Sequence, residues 1–140
     1  SKFFRTALKY WSVRAFNILF TPGGLILLSA LTLINAINAG SNGGVFRAAV
    51  EPQWTTAVLK HQPEIIFVSA GFDAHTEDPL GGLNIVDEDF LFVSQLINEL
   101  AQKVAGGRIV SLLEGGYDYQ ALSRSVVQHL HGLVDEPKKG

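Results

Sequence analysis

Two short, continuous apolar runs set the strongest limit on how this chain can fold. The first covers residues 64–70 (EIIFVSA), bounded by Pro63 and Gly71, and the second covers residues 108–113 (RIVSLL). Uninterrupted apolar runs of this length are typical of buried strands in parallel sheets. Amphipathic stretches that fit helices precede, separate and follow the two runs. The order helix, strand, helix, strand, helix therefore predicts an α/β fold, with a parallel sheet covered on both faces and right-handed crossovers.

Three helices are predicted from apolar residues that recur every three or four positions. The first runs from Val45 to His61, and Pro52 is expected to kink or restart it because proline lacks an amide donor. The second is expected to begin with Asp87 as its N-cap. The two histidines of the third helix, His129 and His131, are expected at the surface or at an edge. The apolar face predicted for that helix comprises Tyr119, Leu122, Val126, Leu130 and Leu133.

The length and the apolar content suit a folded domain, but two strands are too few for a complete sheet. The chain has 140 residues, 47% of them hydrophobic, which supports a core and excludes general disorder. Doubly wound domains normally have five or more strands, so this sheet is expected to be the end of a larger one. We therefore expect an open sheet edge through which the isolated chain associates with itself.

The composition excludes several classes of function. The absence of cysteine excludes disulfides, thiolate metal sites and thiol nucleophiles. A net charge of −2 argues against an electrostatic grip on nucleic acid, so no direct nucleic-acid partner is expected. We expect a cytoplasmic location.

The first 38 residues differ in chemistry from the remainder. Residues 1–63 carry six basic residues and one acid, whereas residues 64–140 carry five basic residues and twelve acids. The apolar run at residues 23–37 is short for a membrane span, which argues against a membrane partner. Basic residues before this run resemble a secretory signal, although Ile37 stands where a small residue is wanted before Ala39. The alternative is a buried helix or strand pair, and residues 1–38 are therefore assigned to an atypical segment.

Unusual residues follow both predicted strands, where ligands bind in open α/β sheets. Asp73 and His75 follow the first strand, and Tyr117 follows the second after a Gly-Gly pair. Asp73 is a candidate oxygen ligand for a divalent metal, and His75 a candidate nitrogen ligand or proton carrier. Tyr117 offers a hydroxyl that can polarise a carbonyl. Because the strands are parallel, Asp73 and Tyr117 are expected at the same edge, although turn-forming and packing roles remain open for all three residues.

Two motifs in this region resemble the histone deacetylase family. Residues 69–82 (SAGFDAHTEDPLGG) and residues 113–117 (LEGGY) match its motifs in order, with the greatest similarity to bacterial class II-like histone deacetylases and acetylpolyamine amidohydrolases. The resemblance implies that residues 39–140 are the C-terminal part of a deacetylase domain, whose fold is an arginase/deacetylase-like three-layer α/β fold with a parallel sheet. The implied reaction is Zn²⁺-dependent hydrolysis of an acetylated amine, either acetyl-lysine or an acetylpolyamine.

The resemblance also assigns roles to individual residues. It makes Asp73 a ligand of the catalytic zinc and Tyr117 the catalytic donor to the substrate carbonyl. His75 matches a variable position and is not assigned as a ligand. The implied substrate-binding residues are Pro79, Leu80, Gly115 and Gly116.

Other residues that the family requires have no counterpart in this sequence. The remaining two zinc ligands form an Asp-x-His pair, and the general base is a pair of adjacent histidines. The four histidines here form neither arrangement ahead of Asp73. We therefore expect the chain to be inactive alone. A non-catalytic remnant or binding module, and a secreted or membrane-tethered variant, remain as alternatives.

A shifted reading frame offers one explanation for the missing motifs. Residues 16–22 (FNILFTP) stand where family members carry a stretch resembling QHPFYP. The codons TTC AAC ATC CTT TTT ACC CC encode the observed residues, and the same bases in a shifted frame encode QHPFYP. We hypothesise that residues 1 to about 35 are an out-of-frame translation, with the family's frame regained near Asn35 to Ala39. Sequencing the upstream DNA tests this, and the absence of any single-base slip that restores the motif would contradict it.

Overall fold

The structure confirms the order of helices and strands predicted for the region after residue 42. The computed structural model describes residues 17–21, 26–28 and 37–134, with side chains from residue 37 onward. Two short strands precede the predicted elements. The elements are β1 (Asn17–Thr21), β2 (Ile26–Leu28), α1 (Gly43–His61), β3 (Ile65–Ala70), α2 (Asp87–Val104), β4 (Ile109–Leu113) and α3 (Tyr119–Val134).

The described strands form one sheet in the order β2-β1-β3-β4. The two strands predicted from the apolar runs, β3 and β4, pair in parallel as expected, with Val68 beside Ser111. Strand β1 is antiparallel to both β2 and β3, so the sheet is mixed. Apart from these two strands, Ile37 and Asn38, the atypical segment of residues 1–38 lies outside the described residues. The signal-like and frameshift interpretations fall largely on that part of the chain.

The hydrophobic core lies between one face of the sheet and the helices α1 and α2. Alternate residues of β3 are buried on that face. Each helix contributes apolar side chains spaced at three or four positions, which places them on one side of the helix. The buried apolar residues of α1, β3 and α2 are Phe46, Val50, Trp54, Val58, Ile66, Val68, Ala70, Phe90, Val93, Ile97, Leu100 and Ala101.

No helix in the described part of the chain is long and apolar enough to cross a membrane.

All three described helices pack on the same face of the sheet, which differs from the predicted cover on both faces. Ser111 points to the same face as its neighbour Val68 and contacts His129 of α3. On the opposite face, Phe67 is half-buried and Leu112 is 54% exposed. The described residues therefore contain the sheet and one of the helical layers that enclose a three-layer fold.

Two details of the helices differ from the sequence prediction. Helix α1 continues through Pro52, which is exposed, because buried residues on both sides of it pack into the same core. Helix α2 has Val86 as its N-cap instead of Asp87. The Val86 amide donates to Asp89 Oδ2 at 2.9 Å, so the cap comes from inside the helix.

The buried face of α3 also differs from the prediction. Tyr119 is 86% exposed and Leu130 is exposed, while the other predicted apolar residues are partly buried. Helices α2 and α3 lie so close that a Cβ on Gly132 would stand 2.5 Å from Ser94 Cβ. Close approach favours small residues over leucines at the contact. The face that α3 buries comprises Ala121, Ser125, His129 and Gly132.

The prediction that His129 lies at the surface is wrong. Its Nδ1 is 2.7 Å from Ser94 Oγ and its Nε2 is 2.8 Å from Ser111 Oγ. Because the Ser94 hydroxyl donates to the carbonyl of Phe90, Ser94 Oγ accepts from Nδ1–H, and Nε2 accepts from Ser111. Burial lowers the pKa of His129 to about 4, so the ring is neutral in the fold near pH 7. His131 is exposed, as expected.

Candidate active site at the carboxyl ends of the parallel strands

The loops that follow β3 and β4 are joined by hydrogen bonds at the edge of the sheet. The Glu114 amide donates to the carbonyl of Ala70 at 2.9 Å, and the Phe72 amide donates to the carbonyl of Gly115 at 2.8 Å. The hydroxyl of Ser69 donates to the Glu114 carboxylate. The parallel pairing thus continues beyond both strands, and it brings the segments that carry Asp73 and Tyr117 together at one edge.

Asp73 is 4% exposed, and two glycines pack against it, Gly115 against its carboxylate and Gly81 against its main chain. A Cβ on Gly115 would stand 2.8 Å from Asp73 Oδ1. A Cβ on Gly81 would overlap the carbonyl oxygen of Asp73. Real Cβ atoms do not approach other atoms this closely, so position 81 requires glycine, and a larger residue at position 115 would displace the carboxylate or the loop. The loop after β4 therefore packs directly against the carboxylate predicted to be a metal ligand, and the loop after β3 packs against the main chain of the same residue.

Tyr117 and two of the predicted substrate-binding residues, Pro79 and Leu80, are at the surface of the same edge, whereas Gly115 is buried and Gly116 half-buried. Tyr117 is 54% exposed and Leu80 is 56% exposed, and Pro79 is also exposed. The glycine before the tyrosine has φ +136°, and a Cβ there would stand 2.7 Å from Leu122 Cδ1. Glycine suits this position for two reasons: other residues rarely adopt this φ, and their Cβ would clash with Leu122.

Asp78 is the residue of this edge whose importance the sequence did not predict. It is 9% exposed and accepts four main-chain hydrogen bonds. Its Oδ1 accepts from the amides of Leu80 at 2.9 Å and Gly81 at 3.2 Å. Its Oδ2 accepts from the amides of Tyr117 at 2.6 Å and Asp118 at 3.2 Å. The Asp-Pro dipeptide signals the local turn, but the sequence gives no sign of the link to the second loop.

His75 is buried and both of its ring nitrogens face protein groups. Nδ1 accepts from the amide of Glu77 at 3.1 Å, so the ring proton of the neutral form is on Nε2. Nε2 lies 3.3 Å from Asp87 Oδ1. Both contacts join His75 to neighbouring parts of the loop and to the start of α2.

A surface ion-pair network extends from Asp87. The guanidinium of Arg124 contacts Glu77 at 2.6 Å and Asp87 at 2.9 Å. Hydrogen bonds to Glu77 and then to Asp87 raise the pKa of Arg124 above its ordinary value. The network joins the start of α2, the loop after β3 and α3, and it leaves Asp87 engaged in structural contacts.

The described residues do not by themselves form a site for a catalytic zinc. Such a site needs three protein ligands and an open fourth position. Within residues 37–134 no group of three His, Asp or Glu side chains could hold a metal. Asp73, the predicted ligand, is a buried carboxylate, and one carboxylate alone is fewer than the three ligands needed. The prediction of Zn²⁺ is therefore not tested by this part of the chain.

Comparison with known proteins identifies the family. The histone deacetylase domain matches residues 29–133. A type-2 histone deacetylase of Dictyostelium discoideum is 36% identical over 109 residues, which cover 73% of this chain and 6% of that protein. A polyamine deacetylase of Mus musculus is 41% identical over 79 residues, covering 56% of this chain and 11% of that protein. This chain belongs to the histone deacetylase family.

A solved structure supports the same conclusion. The crystal structure of the HDA15 HD domain superimposes with a TM-score of 0.63 at 25% sequence identity, over 72% of this chain and 28% of that one. The predicted arginase/deacetylase-like α/β fold is thus confirmed. The chain spans less than a third of the length of each of these relatives.

Proposed function

We propose that this chain supplies one part of the active site of a zinc-dependent deacetylase acting on acetyl-lysine or an acetylated polyamine. The observation that carries the proposal is the edge where β3 and β4 end. There Gly115 packs against a buried carboxylate, that of Asp73, and the loop of Tyr117 is hydrogen-bonded to the loop of Asp73. The polyamine deacetylase among the relatives supports the second substrate class.

The positions of the residues support the roles that we propose for them. A hydroxyl at the rim, such as that of Tyr117, can donate a hydrogen bond to the oxyanion that develops when an amide is attacked. Exposed apolar residues such as Pro79 and Leu80 can contact the acyl chain. Asp73 would be one zinc ligand, and two further ligands and a general base would come from outside the described residues.

A chimera tests this proposal. Residues 39–134 would replace the matching segment of the HDA15 domain, whose structure superimposes on this chain. Deacetylation of an acetyl-lysine peptide and of an acetylated polyamine would be measured, together with bound zinc. We expect turnover that falls about 10²–10³-fold in Tyr117→Phe, as on removal of an oxyanion donor, while zinc is retained.

Tyr119→Phe is the matched control, because Tyr119 is two positions away and its side chain is 86% exposed. A chimera in which Tyr117→Phe and Tyr119→Phe turn over equally fast would contradict the catalytic role of Tyr117. A folded chimera that lacks both zinc and turnover would favour the alternative function, a non-catalytic binding module. That alternative is motivated by the absence, within residues 37–134, of a group of three His, Asp or Glu side chains that could hold a metal.

A further inference from the structure

We propose that Asp78 is the positioning residue for Tyr117, and that its carboxylate holds the two loops of the active site in register. The inference rests on the proposed function for its catalytic meaning, since Tyr117 is the donor there. Asp78 itself is 9% exposed and lies behind the rim, so its effect on a substrate would pass through the main chain of Tyr117.

The two oxygens of the carboxylate serve different loops. Oδ1 accepts from Leu80 and Gly81, which closes a turn within the loop after β3. Oδ2 accepts from Tyr117 and Asp118, which belong to the loop after β4. Hydrogen bonds to an ionised acceptor are shorter and stronger than neutral ones, and the 2.6 Å separation between Tyr117 N and Oδ2 fits this class.

The main chain around Tyr117 needs hydrogen bonds to fix its conformation. It follows two glycines, which restrict the backbone less than any other residue. Ahead of the tyrosine, the carbonyl of Gly115 is fixed by the Phe72 amide. After it, the carboxylate of Asp118 accepts from the amides of Gln120 and Ala121 and starts α3. Asp78 supplies the contact at the tyrosine itself, which is the one that ties it to the Asp73 loop.

Substitution of Asp78 by serine distinguishes the hydrogen bonds within the turn from those to the second loop. A serine hydroxyl can close the local turn with the amides of Leu80 and Gly81, but it is too short to reach the second loop. Asp118→Ser is the matched control, since it removes the same charge from the neighbouring loop and serine remains a good N-cap for α3. A purely local turn former at position 78 would tolerate serine, whereas a positioning residue would not.

The first experiment uses the full 140-residue chain labelled with ¹⁵N-tyrosine. The chain has three tyrosines, and Tyr117→Phe assigns the resonance of interest. In Asp78→Ser we expect amide hydrogen exchange at Tyr117 to rise about 10–100-fold, as on loss of a hydrogen bond to a charged group. Asp118→Ser should leave it within about twofold, because the Asp78 bond persists. Unchanged exchange in an Asp78→Ser chain with native far-UV circular dichroism would overturn the proposal.

If Asp78→Ser does not fold, the unsubstituted chain decides the question. A scalar coupling across the hydrogen bond between Tyr117 ¹⁵N and Asp78 ¹³Cγ is expected in a chain labelled with both isotopes. Its absence, when the Tyr117 amide resonance is resolved, would overturn the proposal.

The second experiment measures kinetics in the chimera described above. Asp78→Ser should lower kcat about 10-fold or more with little change in KM, because a misplaced donor acts in the transition state. Asp118→Ser should change neither constant. Equal kcat in Asp78→Ser and Asp118→Ser would overturn the positioning role. Failure of the proposed function would appear instead as full activity in Tyr117→Phe, while the exchange experiment still reports whether Asp78 holds Tyr117.

Discussion

At the scale of single residues, the absence of a side chain at glycine allows the two loops of the site to pack closely. Gly115 lies where a Cβ would stand 2.8 Å from Asp73 Oδ1. Gly115→Ala should therefore displace the carboxylate or the loop and destabilise the fold by about 1–3 kcal/mol, the usual cost of overpacking. Thermal unfolding measures this effect. Gly82→Ala is the control, since nothing lies within 4 Å of a Cβ at that position. Equal melting temperatures for the two variants would contradict the close approach.

His129 predicts a pH dependence of stability. Its pKa is about 4 in the fold and 6.5 in the unfolded chain, so protonation favours the unfolded state. The contribution of the neutral ring is fully present above pH 6.5 and is lost as the pH falls to 4. This difference between the two pKa values corresponds to about 3 kcal/mol in the free energy of unfolding.

Urea unfolding at pH 7 and pH 4 measures this contribution. His129→Gln should flatten the pH dependence of the free energy of unfolding, whereas His131→Gln should leave it unchanged because that side chain is exposed. If the free energy of unfolding of His129→Gln still depended steeply on pH, other groups would be responsible for the dependence.

At the scale of elements, one buried carboxylate joins the first two helices. Asp89 Oδ2 caps α2 through the Val86 amide, and Oδ1 pairs with Arg47 of α1 at 2.6 Å. Asp89→Ala would remove the cap of the Val86 amide and the ion pair of Arg47, whose side chain is 37% exposed, and we expect it to cost about 1–3 kcal/mol in the free energy of unfolding. Glu88→Ala, in the same turn but exposed, should cost less than about 0.5 kcal/mol. Equal costs in chemical denaturation would contradict the bridging role of Asp89.

The predictable elements were those whose periodicity determines their packing. The apolar runs of β3 and β4, and the face of α1 that carries Phe46, Val50 and Trp54, follow directly from the sequence pattern. The buried face of α3 does not, because close contact with α2 selects Gly132 and Ser125 over leucines. Asp78 was missed for a related reason: its Oδ2 partners lie in the loop after β4, 39 and 40 residues along the chain, and no local pattern encodes that contact.

At the scale of the whole molecule, the sheet leaves apolar surface uncovered by the described elements. Val110 and Leu112 are exposed on the face opposite the helices. We predict that the isolated chain self-associates through this surface, since exposed apolar strands promote association.

Sedimentation velocity measures this association. Leu112→Lys should shift the distribution toward the monomer, and Leu130→Lys is the control, since Leu130 is equally exposed but lies on α3. A chain that sediments as a monomer at all concentrations would contradict the prediction.

The central claim is that this chain carries the Asp73 and Tyr117 portion of a deacetylase active site. The most direct test is the turnover of the HDA15 chimera, measured with its zinc content. We predict that the chimera deacetylates an acetylated amine and that Tyr117→Phe lowers kcat about 10²–10³-fold while zinc remains bound. Undiminished turnover in Tyr117→Phe would contradict the claim.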